Sequence, residues 1–301
     1  MKPEANSLRA VIFALCGNLA IAVIKYIVSM ISGSSAMFAE AIHSVADTTN
    51  QVLLLIGRKR SGKEPDEIHP FGYGKEEYFW GFLVAVLLFF LGGCYSIYEG
   101  IYKYLHPEPI GNYLYIFIVL LSAMIIEYKS FSVAFKEFRK INSTGLIKAW
   151  KESTDTNLFV ILIEDLSALL GLSIVLVTSI LSLIHPFFDI IGTILVGSLL
   201  IFMSWQLANE LRKLMVGENI PREMRNNIKK IIKKHPSIRH INNIRSMYIG
   251  KNNFILLVSV DFDDRSNVPV IESVSEQIKS EITKQYPNAK YIYLDIQDSD
   301  K

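Results

Sequence analysis

The chain has 301 residues, half of them hydrophobic and 20% charged, with a mean hydropathy of +0.30. That is too apolar and too sparsely charged for an ordinary soluble domain, and it excludes disorder, a coiled coil and a secreted disulfide scaffold. The two cysteines, Cys16 and Cys94, both lie in apolar runs, so neither a disulfide framework nor a Cys-rich zinc site follows, and a formal charge of +2 gives no case for nucleic acid. What remains is an integral membrane protein with one soluble domain attached.

Apolar runs near the roughly 20 residues that cross a bilayer recur six times, at about 8–31, 36–57, 79–104, 113–135, 157–184 and 187–207. Short polar breaks separate them pairwise: Ser32-Gly33-Ser34-Ser35, His106 to Asn112, and His185-Pro186. The first run starts too near the N-terminus, and is too long, for a cleaved signal, so it reads as a retained helix. Basic residues fall on alternate connections. They are Arg58-Lys59-Arg60 and Lys63 after the second run, and Lys136, Arg139, Lys140, Lys148 and Lys151 after the fourth. Lys2, Arg9 and Arg212-Lys213 flank the whole set. The positive-inside rule then places both termini in the cytoplasm, and a cell membrane is the simplest home.

Residues 1–212 form the predicted membrane domain, and residues 213–301 a soluble α+β domain. Pro221 to Lys234 reads as an amphipathic helix with Ile228, Ile231 and Ile232 on one face. Strands follow around Ile241 to Tyr248 and at Phe254 to Phe262, then a helix from Val268 to Tyr286 and a strand from Tyr291 to Ile296. The order α-β-β-α-β gives a small sheet with helices on one face, a ferredoxin/metallochaperone-like arrangement.

The second run carries Glu40-Ala41-Ile42-His43-Ser44-Val45-Ala46-Asp47. His43 and Asp47, four apart, share a helical face. Ionisable groups at membrane depth cost a few kcal/mol each, at about 3 on the lenient insertion scale. They are retained where they pair or line an ion path. Imidazole nitrogen with carboxylate oxygen is a first-row metal donor set, zinc above all; the alternative is a His–Asp bond that only joins helices. The fifth run adds Glu164-Asp165, about 100° apart around the axis, which bind a shared cation or else cap a helix or pair with Lys129.

Three stretches together resemble the cation diffusion facilitator family: Ala41 to Gln51, Asp66 to Tyr78 with its His69-Pro70-Phe71-Gly72-Tyr73-Gly74-Lys75, and Glu164 to Gly171. The last of these looks most like the branch containing the ninth mammalian zinc transporter and its bacterial relatives. The resemblance covers nearly the whole chain. It implies a homodimer in the bilayer with six transmembrane helices and a cytoplasmic domain, exchanging divalent metal for protons by alternating access rather than acting as an enzyme. Zinc is the first choice of ion, with iron, cobalt or manganese as alternatives. A membrane-anchored sensor that binds without transporting is the competing class.

The same resemblance assigns the transport site to His43, Asp47 and Asp165. The position four before Asp165, where the family has a fourth ligand, holds Ile161; Glu164 is the substitute, with Glu127 or water as alternatives. Asp66 and His69 match a second, loop metal site whose third position here is Tyr73. Lys75 matches a lysine that some members pair with an acid, yet Met215 to Gly217 offers none, and Glu218 is the nearest. The soluble domain is expected to dimerise without the usual histidine cluster, leaving His235 and His240 as surface or turn residues.

Overall fold

The computed structural model describes residues 3–107, 109–141, 156–250 and 253–298. It divides into two compact units. One comprises Met1–Ile56 with Trp80–Leu211, the other Gly57–Phe79 with Arg212–Lys301.

Among the described residues, the membrane unit is built on six helices: α1 (Pro3–Ser32), α2 (Ser35–Ser61), α3 (Glu76–Leu105), α4 (Tyr113–Ile141), α5 (Thr156–Ser182) and α6 (Phe187–Val216). At 27 to 30 residues and 1.5 Å per residue, each exceeds the ~30 Å hydrocarbon core. Among the described residues, four stretches are both long and apolar enough to cross: Glu76–Leu105, Tyr113–Val133, Asp165–Ser182 and Phe187–Val216. Gly17–Ser32 of α1 is a shorter apolar stretch.

The reading of 36–57 as one more apolar run therefore needs correction: α2 is the least apolar of the six helices, because Glu40, His43, Ser44, Asp47, Thr48 and Thr49 interrupt it. A second correction concerns Lys136, Arg139 and Lys140, which belong to α4 and not to a loop. Lys148 and Lys151 lie outside the described residues.

Small residues on α2 let its neighbours approach, as in other membrane bundles. Ala36, Met37 and Ala39 are fully buried against Ile116 and Leu120 of α4, Leu172 and Val175 of α5, and Val196 of α6. A π-helical segment, Leu88–Cys94, interrupts α3 where Gly92 and Gly93 meet α6. A Cβ on residue 93 would collide with Ile201. Glycine there is what allows the two helices to touch.

A buried carboxylate caps α2. Asp189, in the first turn of α6 and 2% exposed, accepts from the Ser34 hydroxyl, the Ser35 amide and hydroxyl (both 2.8 Å) and the Ala36 amide (3.3 Å). Negative charge at a helix N-terminus is favourable, and these donors offset its desolvation. Asp189→Ala strands the donors and is expected to cost about 2–4 kcal/mol. A lowered thermal midpoint of the solubilised protein checks this; an unchanged midpoint would show that the cap contributes nothing.

The second unit holds α7 (Arg222–Ile232), β1 (Ile238–Tyr248), β2 (Phe254–Phe262), α8 (Val268–Gln285) and β3 (Ala289–Ile296). The sheet order is β1-β2-β3, with β1 antiparallel and β3 parallel to β2. Ile228, Ile231 and Ile232 of α7 and Ile278 and Ile282 of α8 pack on Leu256, Val258 and Val260. The Asn267 side chain accepts from the Val270 amide and starts α8.

Within this unit the segment Gly57–Phe79 packs on the C-terminal part. The Tyr78 hydroxyl donates to the Gly250 carbonyl at 2.8 Å, and Phe71 meets Tyr291 edge-on at 5.2 Å. Lys75 donates to the Met215 carbonyl at 3.3 Å. A carbonyl in the last turn of α6, carrying the negative end of the helix dipole, takes the place of the missing acid.

Candidate metal centre

His43 and Asp47 face the same side of α2, one turn apart. His43 Nε2 lies 3.2 Å from Asp47 Oδ2, with the imidazole side chain 5% and the carboxylate 29% exposed. The buried imidazole nitrogen thus faces the carboxylate at contact distance. An imidazole nitrogen beside a carboxylate is a donor pair able to bind a first-row divalent cation.

Asp165 is on α5 and accepts from the Ser130 hydroxyl of α4 at 2.9 Å. Glu127, one turn before Ser130 on α4, lines a small cavity with Asn18, Ile21, Ser44 and Asp47. The structure thus gathers α1, α2 and α4 around Asp47, while Ser130 engages Asp165. Among the described residues, no three His, Cys, Asp or Glu side chains converge as a metal cage. Glu164 and Ile161 are in α5, with side chains outside those described.

The loop positions form a closed hydrogen-bonded turn. Asp66 Oδ1 accepts the His69 amide and Oδ2 the Tyr73 hydroxyl, both at 2.6 Å. The His69 ring lies 3.5 Å from Asp66 Oδ1 and 4.1 Å, centre to centre, from the Tyr73 ring. The Tyr73 hydroxyl, then the His69 amide, hold the Asp66 carboxyl below its usual range, and the same bond pushes the Tyr73 phenol up. Tyrosine in the third position thus turns a ligand triad into a carboxylate already supplied with donors.

Residues 11–216 match the family description "Cation efflux transmembrane domain" and residues 220–297 match "Cation efflux protein, cytoplasmic domain". The chain belongs to the cation efflux family. This is the cation diffusion facilitator family, of multi-pass integral membrane proteins.

Among relatives, the proton-coupled mitochondrial zinc antiporter SLC30A9 of Homo sapiens is 32% identical over 262 residues, 85% of this chain and 46% of its own length. Metal tolerance protein C4 of Arabidopsis thaliana is 29% identical over 86% of this chain and 58% of its own. The manganese efflux system protein MneP of Bacillus subtilis is 23% identical over 97% and 96%. The chain therefore spans about half the length of the first two cation efflux relatives, and nearly all of the third.

Three buried groups escaped the sequence reading. Lys25 of α1 donates to Glu40 Oε2 at 2.9 Å and to the Ser44 hydroxyl at 2.8 Å, with the two charged side chains 2% and 0% exposed. Asp189 is the third. Each is a charged residue inside an apolar run, which is a usable signal in itself. Glu40 Oε1 lies against Gly171 of α5, where a Cβ would meet the end of the Glu40 side chain. In the second unit, His235 is in the turn after α7 but is not a surface residue: its side chain is 11% exposed, 3.4 Å from Glu281 Oε1. His240, on β1, is exposed.

Proposed function

We propose that the protein exports a divalent cation, zinc first, in exchange for protons, with His43, Asp47 and Asp165 as the transport ligands and Glu164 or Glu127 completing the site. The observation that carries this is the His43–Asp47 pair, a buried imidazole nitrogen 3.2 Å from a carboxylate that lines a small cavity with Asn18 and Glu127. A dication held by two carboxylates and a neutral imidazole leaves the cluster uncharged, which a low-dielectric surrounding tolerates. Ligands must be deprotonated to bind metal, so metal and protons compete for the same atoms. Exposing such a site to each side in turn exchanges one for the other.

The zinc antiporter SLC30A9 supports zinc. A second ion, manganese, is favoured by the full-length likeness to MneP and by the oxygen donors of Asn18 and Glu127 around Asp47. The basic residues in the last turns of α2, Arg58, Lys59 and Arg60, and Lys63 beyond it support termini and C-terminal domain on the cytoplasmic side, and the α1–α2 turn on the other, of a cell membrane. Leu257 and Tyr293, paired across β2 and β3 and about half exposed, support a homodimer through the soluble domain.

The test is zinc movement in proteoliposomes. Transport follows an imposed pH gradient, reverses when that gradient is reversed and stops with a protonophore. Movement indifferent to the gradient would make the protein a uniporter, and binding without movement would make it a sensor.

A further inference from the structure

The Lys25–Glu40 pair is not needed to explain metal binding, yet it is the most deeply buried ion pair among the described residues. Its place along the helices is informative. Glu40 precedes His43 by about one turn, some 4.5 Å along α2 toward the Ser35 end. On α1, Lys25 is equally displaced toward the Ser32 end, and the two helices are joined there by Gly33 and Ser34. On the far side of Lys25 come Asn18 and Ile21, which line the cavity beside Asp47 and Glu127. Ser44, which accepts from Lys25, also lines that cavity and marks its limit. Along both helices, the ion pair therefore lies between the residues that line the cavity and the α1–α2 turn.

We infer that Lys25 and Glu40 form the outer gate of the ion path: the pair closes the route from His43 and Asp47 to the α1–α2 turn, and it must separate for the cation to leave that way. This rests on the transport reading above. Two features favour a gate over simple glue. First, a pair retained only for packing would be replaced at little cost by apolar residues, as buried ion pairs contribute little net stability. Second, the pair is incomplete. Glu40 Oε1 has no hydrogen-bond partner at zero exposure and abuts Gly171 of α5. A carboxylate bonded through one oxygen, lying against a residue with no side chain, has little to hold it when the helices move. The pair joins α1 to α2 with Gly171 of α5 lying against it, so a rearrangement that parts α1 from α2 releases it. Glu40 and Lys25 are thus positioning residues, acting on access and not on the metal.

The experiment uses the full chain in oriented proteoliposomes, with Cys16 and Cys94 replaced by serine and a reporter, Ile21→Cys, in the cavity. A membrane-impermeant maleimide is added from either side. With the native pair, labelling from the α1–α2 turn side is slow. Lys25→Met with Glu40→Gln raises that rate about tenfold, a modest population shift, and leaves the rate from the opposite side unchanged. The milder Glu40→Asp keeps the charge but shortens the arm, and raises the outer rate by a smaller factor. It also gives a reading if the double variant does not reach the membrane. Unchanged outer labelling in a monodisperse variant overturns the gate. Zinc titration of the same preparations keeps the two questions apart: no zinc binding by the native-pair protein removes the transport reading, whereas the labelling rates alone decide the gate.

Discussion

Asp47→Ala lowers zinc transport in proteoliposomes by at least about 100-fold, more than the roughly 10–100-fold typical of groups one shell further out. Asp47 faces His43 Nε2 at 3.2 Å and lines the cavity with Asn18 and Glu127. Removing it leaves a dication with one carboxylate fewer and an uncompensated positive charge in a low-dielectric surrounding. His43→Ala and Asp165→Ala are expected to fall in the same direction. Asp66→Ala is the internal control. Both oxygens of Asp66 are engaged by donors within the exposed loop, so its loss is expected to change the rate by no more than about twofold, since surface substitutions away from special features usually have small effects. Wild-type rates in both His43→Ala and Asp165→Ala would end the three-ligand assignment; a large loss in Asp66→Ala would move the essential site to the loop.

Ile161→His raises zinc affinity by about tenfold or more, because zinc prefers four protein ligands in a closed tetrahedral site. Ile161 precedes Asp165 by four residues on α5 and so shares its helical face. An imidazole there supplies a nitrogen donor on the face of Asp165, in place of a fourth contact from Glu164 or Glu127. The tighter site is expected to slow release, so turnover at saturating zinc falls while binding by titration strengthens. Unchanged affinity in a folded variant would mean that α5 presents Asp165 to the ion from a different face, with Glu164 as the partner. Cobalt substitution gives an independent readout, since its absorption distinguishes four-coordinate from more open geometries.

Much of this protein was legible in the chain. Length, hydropathy and the alternating basic connections were enough for a membrane domain of six helices, because a bilayer demands apolar segments of a set length. Ile228, Ile231 and Ile232 identified the buried face of α7, and the β2 run stood out by its length and composition. His43 and Asp47 were visible as a pair because four residues make about one helical turn.

What composition could not give was partnership between distant segments. Lys25, Glu40 and Asp189 each look costly in a sequence read one helix at a time, since the groups that compensate them are 15, 19 and more than 150 residues away. Nor does spacing within α5 tell that Ser130 engages Asp165, that Tyr73 occupies the loop aspartate, or that a carbonyl of α6 receives Lys75. The sequence by itself determined which segments are long and apolar and which carry ionisable residues within them, because transfer free energy and helical periodicity act locally. Only the tertiary structure decided which charges neutralise one another, because in a low dielectric that outcome depends on contacts between helices.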